Sequence, residues 1–242
     1  MNFNYFYNRI ISKKNEEVLV IFFFILFLAL GLYIVKDYGI STDEPFQRTI
    51  GYFWYLNLIE KFSSNPELIN SIQTKFDDMY WSNEIYSGQY QQYGALFDLF
   101  SAFIEELLKI KDTKNAFLTK HILTFLTFFI SSIFFYKIIT DRFKSKLFAI
   151  IITIFYISSP RIFADSFYNC KDIVFMCFCV FSLYFCFKSL NEYKIKNILY
   201  FSLFSALATD IRIMGILLFT LFFIFFILNC LERKNFFFEN YK

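Results

Sequence analysis

Apolar residues fall along this chain in long blocks separated by short charged connections, the pattern of a polypeptide that passes repeatedly through a nonpolar medium. The first block, Val18 to Val35, contains no charged residue and nearly reaches the roughly 20 apolar residues of one helical bilayer crossing. Further runs lie at about 122–136, 147–159, 173–187, 198–208 and 213–230. Together they predict an all-α, polytopic membrane protein with about six transmembrane helices. Three runs are short: a helix over 147–159 spans only about 20 Å against a hydrocarbon core of about 30 Å. Such helices are expected to continue through their outer ends, which draws Arg161, Asp165, Lys171, Asp172, Asp210 and Arg212 to headgroup depth. Ionisable groups persist there when paired or when lining a wet cavity. Both arrangements are open: local pairs, Asp210 with Arg212 and Lys171 with Asp172, or a shared polar cavity.

The stretch 36–120 between the first two runs is polar but patterned. Phe46, Ile50, Phe53 and Leu58 follow a helical period, as do Leu96, Leu99, Phe103, Leu107 and Ile110, so two amphipathic juxtamembrane helices are expected along the membrane surface. Between them, 77–92 is rich in Tyr and Trp with polar residues interspersed. That composition suits an interfacial anchor or a sugar-stacking wall.

Composition changes the picture in one respect. With 57% hydrophobic and 24% aromatic residues, the chain holds more apolar material than a single soluble core requires, and the surplus must face lipid. The basic residues Arg9, Lys13 and Lys14 ahead of the first run also fit a secretory signal, but the run continues past Gly31 to Val35, so the helix is expected to stay as an anchor. A formal net charge of +3 gives no reason to expect nucleic acid as a partner. The lysines and arginines instead gather in short connections: Lys137, Arg142, Lys144 and Lys146, then Lys188, Lys194 and Lys196, then Arg233 and Lys234. By the positive-inside rule both termini are cytoplasmic, and 36–120, 160–172 and 209–212 face outside. No repeat or linker divides residues 1–242, which are read as one domain. The five cysteines lack paired metal spacing.

The candidate chemistry lies in the outer connections. Ser41-Thr42-Asp43-Glu44-Pro45 precedes a helical pattern, and Pro favours the first helical position while disfavouring helix in the residue before it. Glu44 is therefore expected to be extended, with Asp43 ahead of the helix. Acidic residues at a helix start can simply cap it. They can also act as a base, taking the proton of an acceptor hydroxyl that attacks an anomeric carbon, while cations stabilise the charge growing on a departing phosphate.

The segments GISTDEPFQR, YGALFDLF, KHILTFL, SPRIFADSFYNCKDIVF and ATDIRIMG, in this order, resemble the GT-C superfamily of polytopic glycosyltransferases, especially the branch related to protein O-mannosyltransferases. The resemblance implies a hexosyl- or pentosyltransferase with a polyprenyl-phosphate-linked sugar as donor, a glycan, lipid or protein acceptor, inversion at the anomeric carbon, and a multi-pass position in the cell inner (plasma) membrane with the active site facing outside. It implies Asp43 as base with Glu44 assisting, Lys171, Asp172 and Arg212 lining the cavity, and Arg161 and His121 as further candidates. A divalent cation near the acidic pair occurs in some relatives and not in others. The sequence departs from the family pattern at Asp165, Cys170 and Asp210, and the extra acids make the cavity less cationic. Family members usually have about twice as many helices, so a fragment or a chain with a second membrane subunit is also expected. Two rival classes are a transporter or lipid-handling protein, with Asp210 and Arg212 marking a solute path, and a noncatalytic remnant that serves assembly.

Overall fold

The computed structural model describes residues 13–88, 90, 94–192 and 194–240. All six apolar runs are helical, carried by α1 (Lys13–Ile34), α6 (Thr113–Phe143), α7 (Lys146–Ile157), α9 (Asp172–Glu192), α10 (Ile195–Ile211) and α11 (Leu217–Asn240). Between α1 and α6 stand α2 (Glu44–Phe62), α3 (Pro66–Asp77), α4 (Ser82–Tyr86) and α5 (Leu96–Leu107), and α8 (Pro160–Tyr168) follows α7. The two amphipathic helices expected in 36–120 are α2 and α5. Of the residues cited for topology, Arg9 lies outside the described residues, as do the side chains of Lys13, Lys14, Arg233 and Lys234.

Length separates the helices that can cross a membrane from those that cannot. Among the described residues, Asn15–Asp37, Thr113–Phe143, Asp172–Glu192 and Ile213–Leu231 are long and apolar enough, and α7 with α8 makes a fifth stretch only as a pair bent by 69°. The straight outward extension expected of the 147–159 run is thereby corrected. α7 stops at Ile157, and Pro160, which lacks the N–H of a continuing helix, opens α8 in a new direction. α10 has 17 residues, about 25 Å, so it outgrows its apolar run at both ends without reaching the length of a span, and the expected count of about six crossings is corrected to four, or five with the bent pair, among the described residues. At the other extreme, the 31 residues of α6 reach about 46 Å, longer than a core of about 30 Å.

Lipid-facing and inner faces are distinguished by burial. α1 and α11 present Ile21, Phe22, Ile25, Phe223 and Ile227 outward, a loss of hydrophobic stabilisation in water but not in hydrocarbon. Inside the bundle, Phe27, Phe125, Phe128, Ile157, Phe167 and Phe181 form one cluster. Phe125 stacks on Phe167 at 5.2 Å, and Phe167 on Tyr38 at 4.4 Å, so the connection from α1 to α2 is pinned onto α6 and α8. The Ser182 and Ser205 hydroxyls lie 2.6 Å apart in the buried seam between α9 and α10, where small residues let the backbones approach.

The helices of 36–112 form a layer with its own core of Ile50, Tyr52, Leu56, Ile72, Phe76 and Ile85. A charge network ties it together. Arg48 donates two hydrogen bonds to Glu105, at 2.6 and 3.0 Å, and Lys75 reaches Glu105 at 2.8 Å and Glu106 at 2.6 Å. Burial works against ionisation of Glu105, but Arg48 and Lys75 outweigh it and hold that carboxyl below its ordinary range. The aromatic residues of 77–92 mostly serve packing: Trp81 meets Phe46 edge-to-face at 5.6 Å, and Tyr86 meets Phe76 at 5.0 Å. Tyr80 is exposed, while Gln89, Gln91 and Gln92 lie outside the described residues.

The layer also touches the end of α10. A Cβ at Gly94 would run into the Asp210 carbonyl, so only glycine permits this approach. Gly94→Ala is expected to cost about 1–3 kcal/mol through overpacking, read as a lowered melting midpoint of the purified protein. An unchanged midpoint would show that the contact bears no strain.

Candidate functional site

The acidic pair splits into two environments. α2 begins at Glu44, with Pro45 in its first turn and Asp43 at the N-cap position, so the expectation of an extended Glu44 is corrected. The cause is tertiary. Glu44 is fully buried, and its carboxylate accepts hydrogen bonds from the Ser41 backbone N–H at 2.6 Å and contacts His121 Nε2 at 2.7 Å. The Glu44 N–H in turn donates to the Ser41 carbonyl at 3.2 Å. These bonds close the turn Ser41-Thr42-Asp43 and tie it to α6. Asp43, at the apex, is exposed and its side chain makes no capping hydrogen bond. Capping, one of the two roles open to it, is thus not how its carboxylate is used.

His121 is 2% exposed and so is its neighbour Lys120, which contacts Asp98 of α5 at 2.7 Å. An interior cation requires such a partner. Lys120 also senses Glu44 and Cys170, so α2, α5, α6 and the connection before α9 meet around one buried ammonium. Burial pushes the Asp98 carboxyl above its ordinary range, and Lys120 pulls it back in part. Cys170, pushed up to about 12 by burial, is a neutral thiol that donates to Gln47 Oε1. The residue that departs from the family pattern here is thus a packing and hydrogen-bonding element.

The remaining candidates lie around this centre. Lys171 is half-buried; burial lowers its pKa, and it senses Asp98, Arg212 and Asp172. Arg212 pairs with Asp172, not with Asp210. Asp210 instead accepts a hydrogen bond from the Leu96 N–H at 3.0 Å, satisfying one of the orphan donors at the start of α5. The local pairs Asp210–Arg212 and Lys171–Asp172 are therefore not the arrangement adopted by the arginine or by Asp210. Arg161 stands apart: its side chain is 88% exposed and lies 3.6 Å from Asp165 on the same helix, and Asp165 also accepts from Tyr168 at 2.9 Å.

The structure thus brings together Glu44, His121, Lys120, Asp98 and Lys171 on adjoining elements, joined through Asp172 to Arg212, with Asp43 exposed on the turn that Glu44 holds. Lys120 and Asp98 are additions to the sequence reading. Their signal lay in single charges beside apolar residues, Asp98 within Leu96-Phe97-Asp98-Leu99-Phe100 and Lys120 at the edge of the 122–136 run. Among the described residues no group of three or more His, Cys, Asp or Glu is placed to hold a metal ion, and Glu44 is engaged by His121 and Ser41 on the side away from solvent.

A family model described as dolichyl-phosphate-mannose-protein mannosyltransferase matches residues 99–239, more than half of the chain. That segment contains His121, Arg161, Lys171, Asp172 and Arg212; Asp43, Glu44 and Asp98 precede it. No curated protein and no solved structure matches the chain.

Proposed function

Because the chain belongs to the dolichyl-phosphate-mannose-protein mannosyltransferase family, a family of membrane glycosyltransferases, we propose that it moves a sugar from a polyprenyl-phosphate donor to an acceptor hydroxyl, with inversion and with Asp43 as base. The observation that carries this reading is the division of labour in the acidic pair: Glu44 buried and bonded on both oxygens, Asp43 exposed and unspent one residue away.

In the proposed reaction the acceptor oxygen attacks the anomeric carbon from the face opposite the phosphate. Asp43 takes the hydroxyl proton as the new C–O bond forms. The bond from the anomeric carbon to the phosphate oxygen breaks, and its electron pair leaves with the polyprenyl phosphate. Lys171 and Arg212 face the charge that grows on that oxygen. A phosphate departs without protonation, so one carboxylate suffices, unlike the two needed to hydrolyse an ordinary glycosidic bond. No step requires a divalent cation. We place the site on the outer face of a cell membrane because the basic connections lie at the opposite end of the bundle.

The test is reconstitution of the full chain in vesicles containing dolichyl-phosphate mannose, with a hydroxyl-bearing peptide or glycan as acceptor. The expected product carries the anomeric configuration opposite to the donor's, read by NMR. A product with retained configuration would remove the single-displacement mechanism, and release of free mannose alone would remove transfer.

A further inference from the structure

The far end of the bundle holds a second space where charge and apolar surface converge. Arg142, near the end of α6, lies about 30 Å along the helix from His121, so this end is remote from the candidate site. A cavity of about 1070 Å³ opens there between the last turns of α6 and α9 and the middle of α11. Its lining includes the apolar side chains Ile138, Phe187, Phe225 and Leu228 and the cations Arg142, Lys144 and Lys188.

The cations outnumber the acids that answer them. Asp141 and Glu192 also line the space; Glu192 is engaged with Lys194 at 3.0 Å and also interacts with Lys188. Lys188 is half-buried and lies over the Tyr184 ring, its Nζ 5.5 Å from the ring centre and 3.4 Å from the hydroxyl. The ammonium is held against one side of the cavity. Charge placed only to set topology needs to lie in a connection; it needs neither a cavity nor an apolar lining.

A site lined by both cations and aromatic and aliphatic surface suits an amphiphile with an anionic head. Its size is at the top of the range for sites that enclose an organic ligand, about 300–1000 Å³, and larger than an inorganic anion needs. The cations stand at the ends of two membrane-spanning helices, the depth at which phospholipid headgroups are found. We propose that this cavity binds an anionic phospholipid from the leaflet opposite the candidate catalytic site, its phosphate against Arg142, Lys144 and Lys188 and its first acyl carbons along Phe187, Phe225 and Leu228. Charge-assisted contacts from arginine and lysine to phosphate oxygens supply the recognition, and the apolar lining selects a lipid over a free anion.

The test is native mass spectrometry of the delipidated full chain titrated with phosphatidylglycerol, phosphatidylcholine or inorganic phosphate. Retention of one phosphatidylglycerol per chain is expected, with phosphatidylcholine held more weakly, because its choline cation is repelled by the same three side chains. Lys188→Gln is expected to weaken retention about fivefold. Since removing basic residues can also disturb topology, Leu228→Trp provides the second variant: it fills the space along the apolar lining and leaves every cation in place, and it too is expected to lose the lipid. Equal retention of phosphatidylglycerol by both variants, equal retention of the two lipids, or binding of inorganic phosphate in place of lipid would overturn the proposal.

Discussion

Asp43→Asn is expected to lower sugar transfer by about two to four orders of magnitude, the contribution of a positioned general base, and to leave the melting temperature within the scatter of a surface substitution, about 0.5 kcal/mol. The substitution separates the two roles open to an acidic residue at a helix start. Asparagine is as good an N-cap as aspartate, so a purely structural Asp43 would tolerate it without consequence. A base would not, because the amide cannot accept the proton. The geometry favours the second outcome: the Asp43 side chain makes no capping hydrogen bond and is open to solvent, and the turn beneath it is already closed by Glu44. Transfer rates of the purified variant in donor-containing vesicles, alongside its thermal melt, decide the matter. Undiminished transfer would remove Asp43 from the chemistry, whereas loss of both activity and stability would recast it as a structural residue.

The membrane character, the helical class and the positions of the apolar helices were legible because lipid exposure imposes a coarse demand, long uncharged runs, that composition alone reveals; the count of crossings was not, since four helices, or five with the bent pair, are long and apolar enough among the described residues, against about six expected. Where the reading went astray, a local event intervened. The 147–159 run looked like one short crossing, but Pro160 redirects the chain and makes a bent pair. Helix α3 was passed over although Ile69, Ile72 and Phe76 follow a helical period and Asn65-Pro66 marks its start; Ile72 and Phe76 enter the core shared with α2.

The site was legible in outline and not in wiring. Ser41 and Glu44 are close in sequence, and Glu44 reaches back to the Ser41 N–H, but the N-cap of α2 is Asp43, so this bond closes the turn before the helix and is not a capping box. The other partner of Glu44, His121, is 77 positions away, and no local pattern could nominate it. Asp210 and Arg212 looked like a neutralising pair because they are close in sequence. Asp210 still belongs to α10, however, while Arg212 is already extended, with φ of −145° and ψ of 128°, so the two side chains diverge to different partners. The resulting distribution bears on the concern that extra acids weaken the cavity for phosphate: Asp210 is committed to the start of α5 and Asp165 lies beside Arg161.

His121→Ala is expected to produce the second large effect, and by a different route. The substitution leaves the Glu44 carboxyl group fully buried with the Ser41 N–H as its remaining direct bond and with Lys120, already paired to Asp98, as an interacting cation. Leaving a buried hydrogen-bonding group without its partner typically costs about 1–3 kcal/mol, more where the group is charged. Because the bond also holds the turn that presents Asp43, turnover should fall about tenfold or more while the KM for donor changes little, since His121 binds no part of the donor in the proposed reaction. Glu44→Gln keeps the side chain's shape and one acceptor oxygen, and should cost less than His121→Ala. The double variant His121→Ala/Glu44→Gln no longer carries a stranded charge, so its destabilisation should be smaller than the two single effects combined, a coupling of about 1–3 kcal/mol. Thermal melts and initial rates of the four proteins measure this cycle. Additive losses would mean that the 2.7 Å contact carries no energy of its own, and a rise in KM without a fall in turnover would move His121 from holding the turn to binding the substrate.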